Sequence, residues 1–203
     1  MSIVNISDPM YAKYSVSGST VSYSNGGSAG YARSADISLD DTEDNELYGD
    51  GVIVAVDRKF AGGTITVGTT ELDDATVAAM LGVKQASITG ISGVTDTSVK
   101  ELIYDDDIDT PYVGYGFIIE GNVDDAEDPT GDPYYRAVVF AKIMFSLPSS
   151  SLETREKDIN WQTPELTGKI LRDDSADHVW KREATFTTKA QALAYLKARL
   201  NIT

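Results

Sequence analysis

The sequence predicts a mainly β protein, a two-sheet β-sandwich with one short internal helix and one C-terminal helix. Short runs of β-branched and aromatic residues recur along the chain, separated by Gly, Asn, Asp and Ser, which is typical of strands joined by turns. Only two segments combine a capping residue with helical spacing. The 203 residues, 41% of them hydrophobic, suffice for a sizeable core, and we assign residues 1–203 to a single domain.

The first strands form a hairpin. Tyr11–Val16 and Val21–Tyr23 are β-prone runs with turn residues between them. Asn25-Gly26 follows, and this pair favours the positive φ angles of a tight hairpin turn. We therefore predict two short strands and a further turn at Asn25-Gly26.

The next predicted strands differ in their expected burial. Hydrophobic residues at Ala35, Ile37 and Leu39 alternate with polar ones, which predicts a half-buried strand. Val52–Val56 is continuously apolar and mostly β-branched, which predicts a strand that is either buried or part of an interface. Six more runs complete the predicted strands: Thr64–Val67, Val99–Tyr104, Tyr112–Ile119, Tyr135–Phe145, Leu166–Leu171 and Ala184–Thr187.

Two helices are predicted from their caps. Asp73 or Asp74 caps a helix through Thr76–Leu81, and Gly82 ends it. The C-terminal helix, about residues 189–200, follows a capping-box pattern that begins at Thr188. Its leucines share one face at helical spacing, and we expect that face to pack on the sandwich: Leu193, Leu196 and Leu200.

Acidic and polar stretches between the strands are predicted long loops, which in a compact domain are usually functional. They are Asp40–Asp50 (a loop of about residues 40–51), Gly121–Pro133 and Pro148–Asp158. We also expect an N-terminal arm, about residues 1–10.

The net charge of −15 is unevenly distributed. Residues 1–133 hold 6 basic and 24 acidic residues, whereas residues 134–203 hold 11 basic and 8 acidic residues. A chain this acidic repels phosphates, which excludes stable nucleic-acid binding. Unlike surfaces can instead set the register between copies of the same protein.

Several classes of protein are excluded or disfavoured by features that the sequence lacks. It contains no cysteine, which excludes disulfides, Cys-ligated zinc and thiol catalysis. It has no run of eighteen apolar residues, so we expect no transmembrane segment and no membrane insertion. We also expect no secretory signal, because the N-terminal residues lack a basic region followed by an apolar stretch.

Two chemical alternatives remain open. Gly26–Gly30 matches the G-x-S-x-G pattern of serine hydrolases around Ser28, with His178 as the only possible histidine base. That motif needs a helix after the serine, whereas the residues that follow predict a strand, so we interpret it as a glycine-rich connection. Asp105–Asp109 could bind calcium in a surface-binding β-sandwich, although its spacing is not that of an EF-hand. We interpret it as a solvated turn.

The ordered set of segments resembles the major tail tube proteins of long, non-contractile-tailed bacteriophages. The resemblance covers nearly the whole chain and is carried by segments rather than by one diagnostic motif. They are MYAKYSVSGSTVSYSNGG from Met10, FAGGTITVG from Phe60, ELIYDDDIDTPYVGYGFI from Glu101, YYRAVVFAKIMFS from Tyr134, NWQTPELTGKILRDD from Asn160 and HVWKREATFTTKAQALAYLKARL from His178.

This resemblance implies a structural virion protein with no catalytic residue, no cofactor and no metal. Six copies form a ring whose inner sheets join into one β-barrel, and rings stack into a hollow tail tube. The tube conducts DNA into the host, and the DNA passes through the lumen without stable binding. The implied partners are other copies, a tape measure protein and a tail terminator or distal tail protein. The implied location is the phage tail, assembled in the cytoplasm of the host bacterium.

Two sets of residues are candidates for assembly. For ring stacking we select the acidic loop and the N-terminal arm: Asp40, Asp41, Glu43, Asp44, Glu46, Asp50, Ile3 and Ile6. For sheet formation within and between subunits we select two apolar strands: Val52, Ile53, Val54, Tyr135, Val138, Phe140 and Ile143.

We expect Ser28→Ala and His178→Ala to leave particle assembly and infectivity nearly unchanged, because the motif lacks its helix and the chain has one histidine. Plaque counts and electron microscopy of complemented phage measure this. Loss of infectivity by a variant that still folds and assembles would restore the hydrolase alternative.

Overall fold

The computed structural model describes residues 2–40, 45–50, 52–57, 59–96, 98–123, 131–148 and 163–203. Within these ranges the strands are β1 Ser2–Ser17, β2 Thr20–Ser28, β3 Ala32–Leu39, β4 Asn45–Gly49, β5 Val52–Asp57, β6 Gly63–Thr69, β7 Lys84–Ser87, β8 Lys100–Ile103, β9 Val113–Val123, β10 Asp132–Phe145, β11 Glu165–Leu171 and β12 Lys181–Phe186. The helices are α1 Asp74–Leu81 and α2 Lys189–Leu200.

Eight of the described strands form one antiparallel sheet in the order β2-β1-β9-β10-β11-β6-β3, with β12 also paired to β10. The long strand β10 has β9 along one edge. Its other edge pairs with β12 from Tyr135 to Phe140 and with β11 from Lys142 to Phe145. The mainly β prediction is confirmed, and the strands predicted as two sheets form one hydrogen-bonded sheet whose two parts share β10.

We name the two parts by what covers their outer faces. The helix-covered sheet consists of β2, β1, β9, the first half of β10 and β12. The uncovered sheet consists of the second half of β10, β11, β6 and β3.

A main core lies between the two parts of the sheet. Tyr115 and Phe140 from the helix-covered sheet are almost fully buried, as are Ile65 and Leu166 from the uncovered sheet. The rings of Tyr115 and Phe145 meet edge to face at 5.5 Å. Each buried side chain of this size contributes roughly 1.5–3 kcal/mol, so this cluster accounts for much of the fold's stability.

A second core lies between α2 and the opposite face of the helix-covered sheet. Leu196 and Leu200 are fully buried against it. A Cβ added at Gly114 would come within 2.8 Å of the Leu200 Cδ2, and one added at Gly116 within 2.5 Å of the Leu196 Cδ1. Alternate glycines on β9 therefore allow the helix to approach the strand closely, while Tyr115 between them faces the main core.

The predicted strands and both predicted helices are confirmed. The Asp73 side chain accepts a hydrogen bond from the Thr76 N–H at 2.6 Å, and Gly82 ends α1 in the left-handed conformation at φ 74°. Thr188 caps α2 by accepting from the Gln191 N–H at 3.4 Å. Because these caps depend on local backbone groups, the sequence was sufficient to place them.

The predicted turn at Asn25-Gly26 is wrong. Both residues lie inside β2, where the pairing with β1 shifts register between Tyr11 and Lys13. Asn25 has φ 50°, as a β-bulge allows. The turn predicted between the first two strands is confirmed at Gly18-Ser19. An Asn-Gly pair indicates positive φ, which serves a bulge as well as a turn.

The half-buried burial pattern predicted for Ala35–Leu39 is also wrong at two positions. Ile37 and Leu39 are 41% and 48% exposed, because β3 is the last strand of the sheet. Strand β7, which pairs with β8, was not predicted.

Two of the predicted loops, Asp40–Asp50 and Gly121–Pro133, are partly strand. β4 lies within Asp40–Asp50, β9 continues to Val123, and β10 begins at Asp132. Most of the predicted loop Pro148–Asp158 lies outside the described residues. In the part of the chain that the structure describes, neither helix has the length and apolar character needed to cross a membrane.

The position of α2 on the sheet gives a test of the second core. We expect Leu196→Ala to lower the free energy of unfolding by about 2–5 kcal/mol, because it removes a fully buried side chain. Leu193→Ala is the matched control, since Leu193 is only partly buried on the same helix, and its cost should be clearly smaller. Urea denaturation measures both, and equal costs would contradict this packing.

Candidate functional site

The hairpin of β4 and β5, which follows β3 and precedes β6 in the chain, forms a two-stranded sheet of its own. β3 pairs with β6 until Leu39 faces Gly63, and the Asp40 N–H then donates to the Gly62 carbonyl at 3.0 Å. Pairing resumes where Asn45 faces Asp57. The chain has the same number of residues between these pairs on both sides, so the pairing of β4 with β5 begins in the register of β3 with β6 and shifts by one residue between Leu47 and Tyr48. We name β4 and β5 the hairpin extension.

The hairpin extension exposes apolar side chains. Tyr48, Val52 and Val54 are each 62% exposed. The buried alternative for Val52–Val56 is thus wrong at Val52 and Val54, and the interface alternative stays a prediction. A two-stranded hairpin is marginally stable by itself in water. The exposed apolar side chains make the hairpin extension a candidate binding surface.

The acidic stacking candidates lie along this hairpin. Asp40 is exposed at the end of β3, and exposed Asp50 follows β4 with φ 52°. Glu46 and Ile53 belong to the paired strands of the extension, but their side chains are outside the described part of the structure. Asp41, Glu43 and Asp44 lie outside the described residues altogether.

The N-terminal candidates belong to the sheet and do not form a separate arm. Ser2–Ser7 of β1 pairs with β9, whereas β2 begins pairing only at Met10. This part of β1 therefore has one open edge among the described strands. Ile3 and Val4 are both 67% exposed there, but Ile6 packs against the main core. Of the two isoleucines selected, Ile3 is exposed and Ile6 is partly buried, and their role in ring stacking stays a prediction.

The candidates on β10 are placed inside the subunit. Val138, Phe140 and Ile143 are at most 1% exposed, and Tyr135 is half-buried. Both edges of this strand are already paired with strands of the same chain. β10 thus lies inside the sheet, and Val138, Phe140 and Ile143 pack into the main core. A role of the selected β10 residues in joining sheets between copies stays a prediction.

A network of charges that the sequence did not indicate fixes the start of α2. The Lys189 Nζ lies 2.8 Å from the Glu120 Oε1 and 2.9 Å from the Asp8 Oδ2. Glu120 also accepts hydrogen bonds from the Ser7 hydroxyl at 2.7 Å and the Asn5 amide at 3.3 Å. A cation at a helix N-terminus is unfavourable, and the two carboxylates offset it. Asp8 has φ 51° and lies where β1 is bulged, so the network joins α2 to this irregularity.

The hydrogen bonds of this network also shift its titration. The contact with Lys189 is the main reason that the pKa of Glu120 is lowered, and the Ser7 and Asn5 bonds act in the same direction. The contact with Glu120 likewise raises the pKa of Lys189. Both groups are therefore charged near neutral pH.

The structure describes the residues of both chemical alternatives, the serine hydrolase and the calcium site. Ser28 ends β2, its hydroxyl donates to the Gly30 carbonyl at 3.3 Å, and strand β3 follows as predicted. The His178 Nδ1 lies 3.4 Å from the Asp173 carbonyl oxygen. In the acidic turn, Asp105 forms an ion pair with Lys84 at 2.6 Å, which lowers its pKa. Among the described residues, no three His, Cys, Asp or Glu side chains are grouped as a metal site would require.

Comparison with known proteins adds no further assignment: no protein-family model matches the chain, and no curated protein matches it.

The charge network predicts a pH-dependent contribution to stability. Lys189→Met should lower the free energy of unfolding at pH 7 by about 0.5–1 kcal/mol, a small value because exposed pairs are screened by solvent. Glu120 has a depressed pKa, so its contribution is present above the unfolded pKa of about 4.3 and is lost as pH falls through the folded pKa. The loss in the variant should therefore shrink toward pH 3.

The control is Lys197→Met, in the last turn of the same helix. Urea unfolding of the three proteins at pH 7 and pH 3 gives the comparison. A Lys189→Met effect of the same size at both pH values would contradict the assigned role of Glu120.

Proposed function

We propose that the protein is the subunit of a self-assembling tube, the major tail protein of a long, non-contractile phage tail. Rings of six copies stack into a hollow conduit for DNA ejection. The single observation that carries this proposal is the hairpin extension, an exposed apolar element in register with the sandwich. The resemblance of the chain's segments, in order, to tail tube proteins is the reason for proposing this class of protein.

The hairpin extension needs a partner for physical reasons. Its exposed valines and Tyr48 lose contact with water only when another surface covers them. A second copy is the partner we infer, because the acidic N-terminal part and the more basic C-terminal part of the same sequence are complementary. Attraction between unlike parts of identical chains favours one register over others.

Open strand edges point to the same partner. Among the described strands, β3 and β2 each end the sheet, and Ser2–Ser7 of β1 has one neighbour. Such edges invite uncontrolled pairing unless they are covered. Joining sheets from subunit to subunit around a ring would cover them in a closed assembly. The inner sheets of neighbouring subunits would then form one continuous β-barrel, while the hairpin extension and the N-terminal edge contact the next ring.

The other partners follow from the tube itself. DNA passes through the lumen, and the acidic chain disfavours stable contact with its phosphates. The ends of the tube and its interior before ejection require further proteins. A tape measure protein and a terminator or distal tail protein fill these roles in tails of the class that the sequence resembles.

The test is assembly of the purified protein. We expect rings or tubes by negative-stain electron microscopy and a large mass by light scattering. The double variant Val52→Asp with Val54→Asp should abolish or strongly reduce this assembly, because buried interfaces exclude unpaired charge. Its circular dichroism should match that of the original chain, since both side chains are largely exposed in the subunit.

The control places the same charges elsewhere. Ile91→Asp with Val94→Asp alters two exposed apolar side chains, 57% and 45% exposed, in the connection between β7 and β8. It should assemble like the original chain. A monomeric original protein at all concentrations, or equal assembly of both double variants, would count against the proposal.

A further inference from the structure

The two outer faces of the sandwich differ in their covering. On the helix-covered sheet, α2 buries its apolar residues against the strands, and Ala192, Leu196 and Leu200 are fully buried there. This side of the molecule therefore presents helix side chains to its surroundings. On the uncovered sheet, Asp36 and Thr167 are exposed and Thr66 is half-buried. The strands themselves form that surface.

Short hydroxylic side chains dominate the outer face of the uncovered sheet. The register places Asp36, Thr66 and Thr167 in one row across β3, β6 and β11, and the Oγ1 atoms of the two threonines are 3.2 Å apart. Side chains at every second position share a face, so the adjacent rows point the same way. We name these rows the hydroxyl face; its remaining side chains on these three strands are Ser34, Ser38, Thr64, Glu165 and Lys169, and Met144 of β10 continues the row of Lys169.

The hydroxyl face carries little charge and no cluster of cations. On β3, β6 and β11 the ionisable members are two acids, Asp36 and Glu165, and one base, Lys169. The register also places Lys142 of β10 on this side, where it is largely covered and forms an ion pair with Asp174 at 2.6 Å. Hydroxyl groups are hydrated and uncharged, so they displace no counterions from DNA. Adjacent cations would displace those counterions and bind the DNA. The face of α2 is different, since its last turn carries Lys197 and Arg199.

We propose that the hydroxyl face lines the lumen and that α2 lies on the outside of the tube. This inference rests on the proposed function and adds which surface of this chain the DNA passes. The reverse orientation would repeat the Lys197 and Arg199 pair around every ring. DNA moving past hundreds of such pairs would be held by them, because each neutralised phosphate adds to the affinity.

The absence of cysteine allows a direct test of this orientation. Thr66→Cys places one thiol on the hydroxyl face, and Ala194→Cys places one on the exposed side of α2. Tubes of each variant are treated with N-ethylmaleimide or with a maleimide coupled to a folded carrier protein too large to enter the lumen. We expect N-ethylmaleimide to modify both thiols. The carrier should modify Thr66→Cys at least an order of magnitude less than Ala194→Cys.

Each outcome has a distinct meaning. If the carrier modifies Thr66→Cys tubes as well as or better than Ala194→Cys tubes, the assigned orientation is wrong while the tube remains. If the original chain forms no tubes, the proposed function fails and this inference fails with it. Melting temperatures and carrier labelling of the unassembled variants check that both thiols are reactive in the free subunit.

A second measurement uses charge instead of size. Tubes with Thr66→Lys and Thr167→Lys should retain short duplex DNA in a nuclease-protected form at low salt, because adjacent lysines in the lumen bind phosphates. Tubes with Ala190→Lys and Ala194→Lys, exposed positions on α2, should leave any bound DNA open to the nuclease. Nuclease-sensitive DNA on the first variant would overturn the lumen assignment.

Discussion

The fold depends on the pairing of β10 along both of its edges. Its first half belongs to the helix-covered sheet, and its second half belongs to the uncovered sheet. The exchange of partners occurs around Ala141, whose N–H donates to the Trp180 carbonyl at 3.0 Å. Because side chains alternate along a strand, β10 supplies Val138 and Phe140 to the main core and Ala137 and Val139 to the core under α2. A one-residue slip would exchange these two sets and disrupt both cores.

The hairpin extension contrasts with this well-buried centre. The sandwich buries its largest side chains almost completely, while Tyr48, Val52 and Val54 are left mostly in water. Folding of the subunit therefore does not use the full hydrophobic content of the chain. The remaining apolar surface and the open strand edges are available for association, in which the same hydrophobic effect acts between chains. We infer that this division between folding and association allows a stable subunit to build a larger structure.

The acidic composition is consistent with this division between folding and association. Acids are frequent in and next to the hairpin extension, where six occur between Asp40 and Asp50. In the proposed assembly, the more basic C-terminal part of another copy would offset their repulsion. The hydroxyl face, in contrast, relies on neutral short side chains. If this face lines a conduit, repulsion of DNA comes from the field of the whole acidic protein, while the wall itself offers few groups that bind. Lys189 lies at the N-terminus of α2, where a cation is unfavourable, and its charge is paired with Glu120 and Asp8.

The sequence by itself determined most of the strand positions, the two helices and their caps, because these depend on short-range spacing and on local backbone hydrogen bonds. Asp73, Gly82 and Thr188 were identified in this way. The sequence missed β4 and β7. It could not distinguish a turn from a bulge at Asn25-Gly26, since both need positive φ. Nor could it tell that β10 lies at the centre of the sheet with buried side chains while the similar apolar run Val52–Val56 lies on an exposed hairpin.

Only the tertiary structure decided which partners each strand has, and those partners set burial. Ile37 and Leu39 alternate like a half-buried strand, yet they are exposed because β3 is the last strand of the sheet. The network around Lys189 joins residues far apart in the chain, which no local pattern indicates. The hydroxyl face likewise arises from the register of three strands. Composition and periodicity are local properties, whereas an edge, a covered face or a charge pair exists only once distant segments have met.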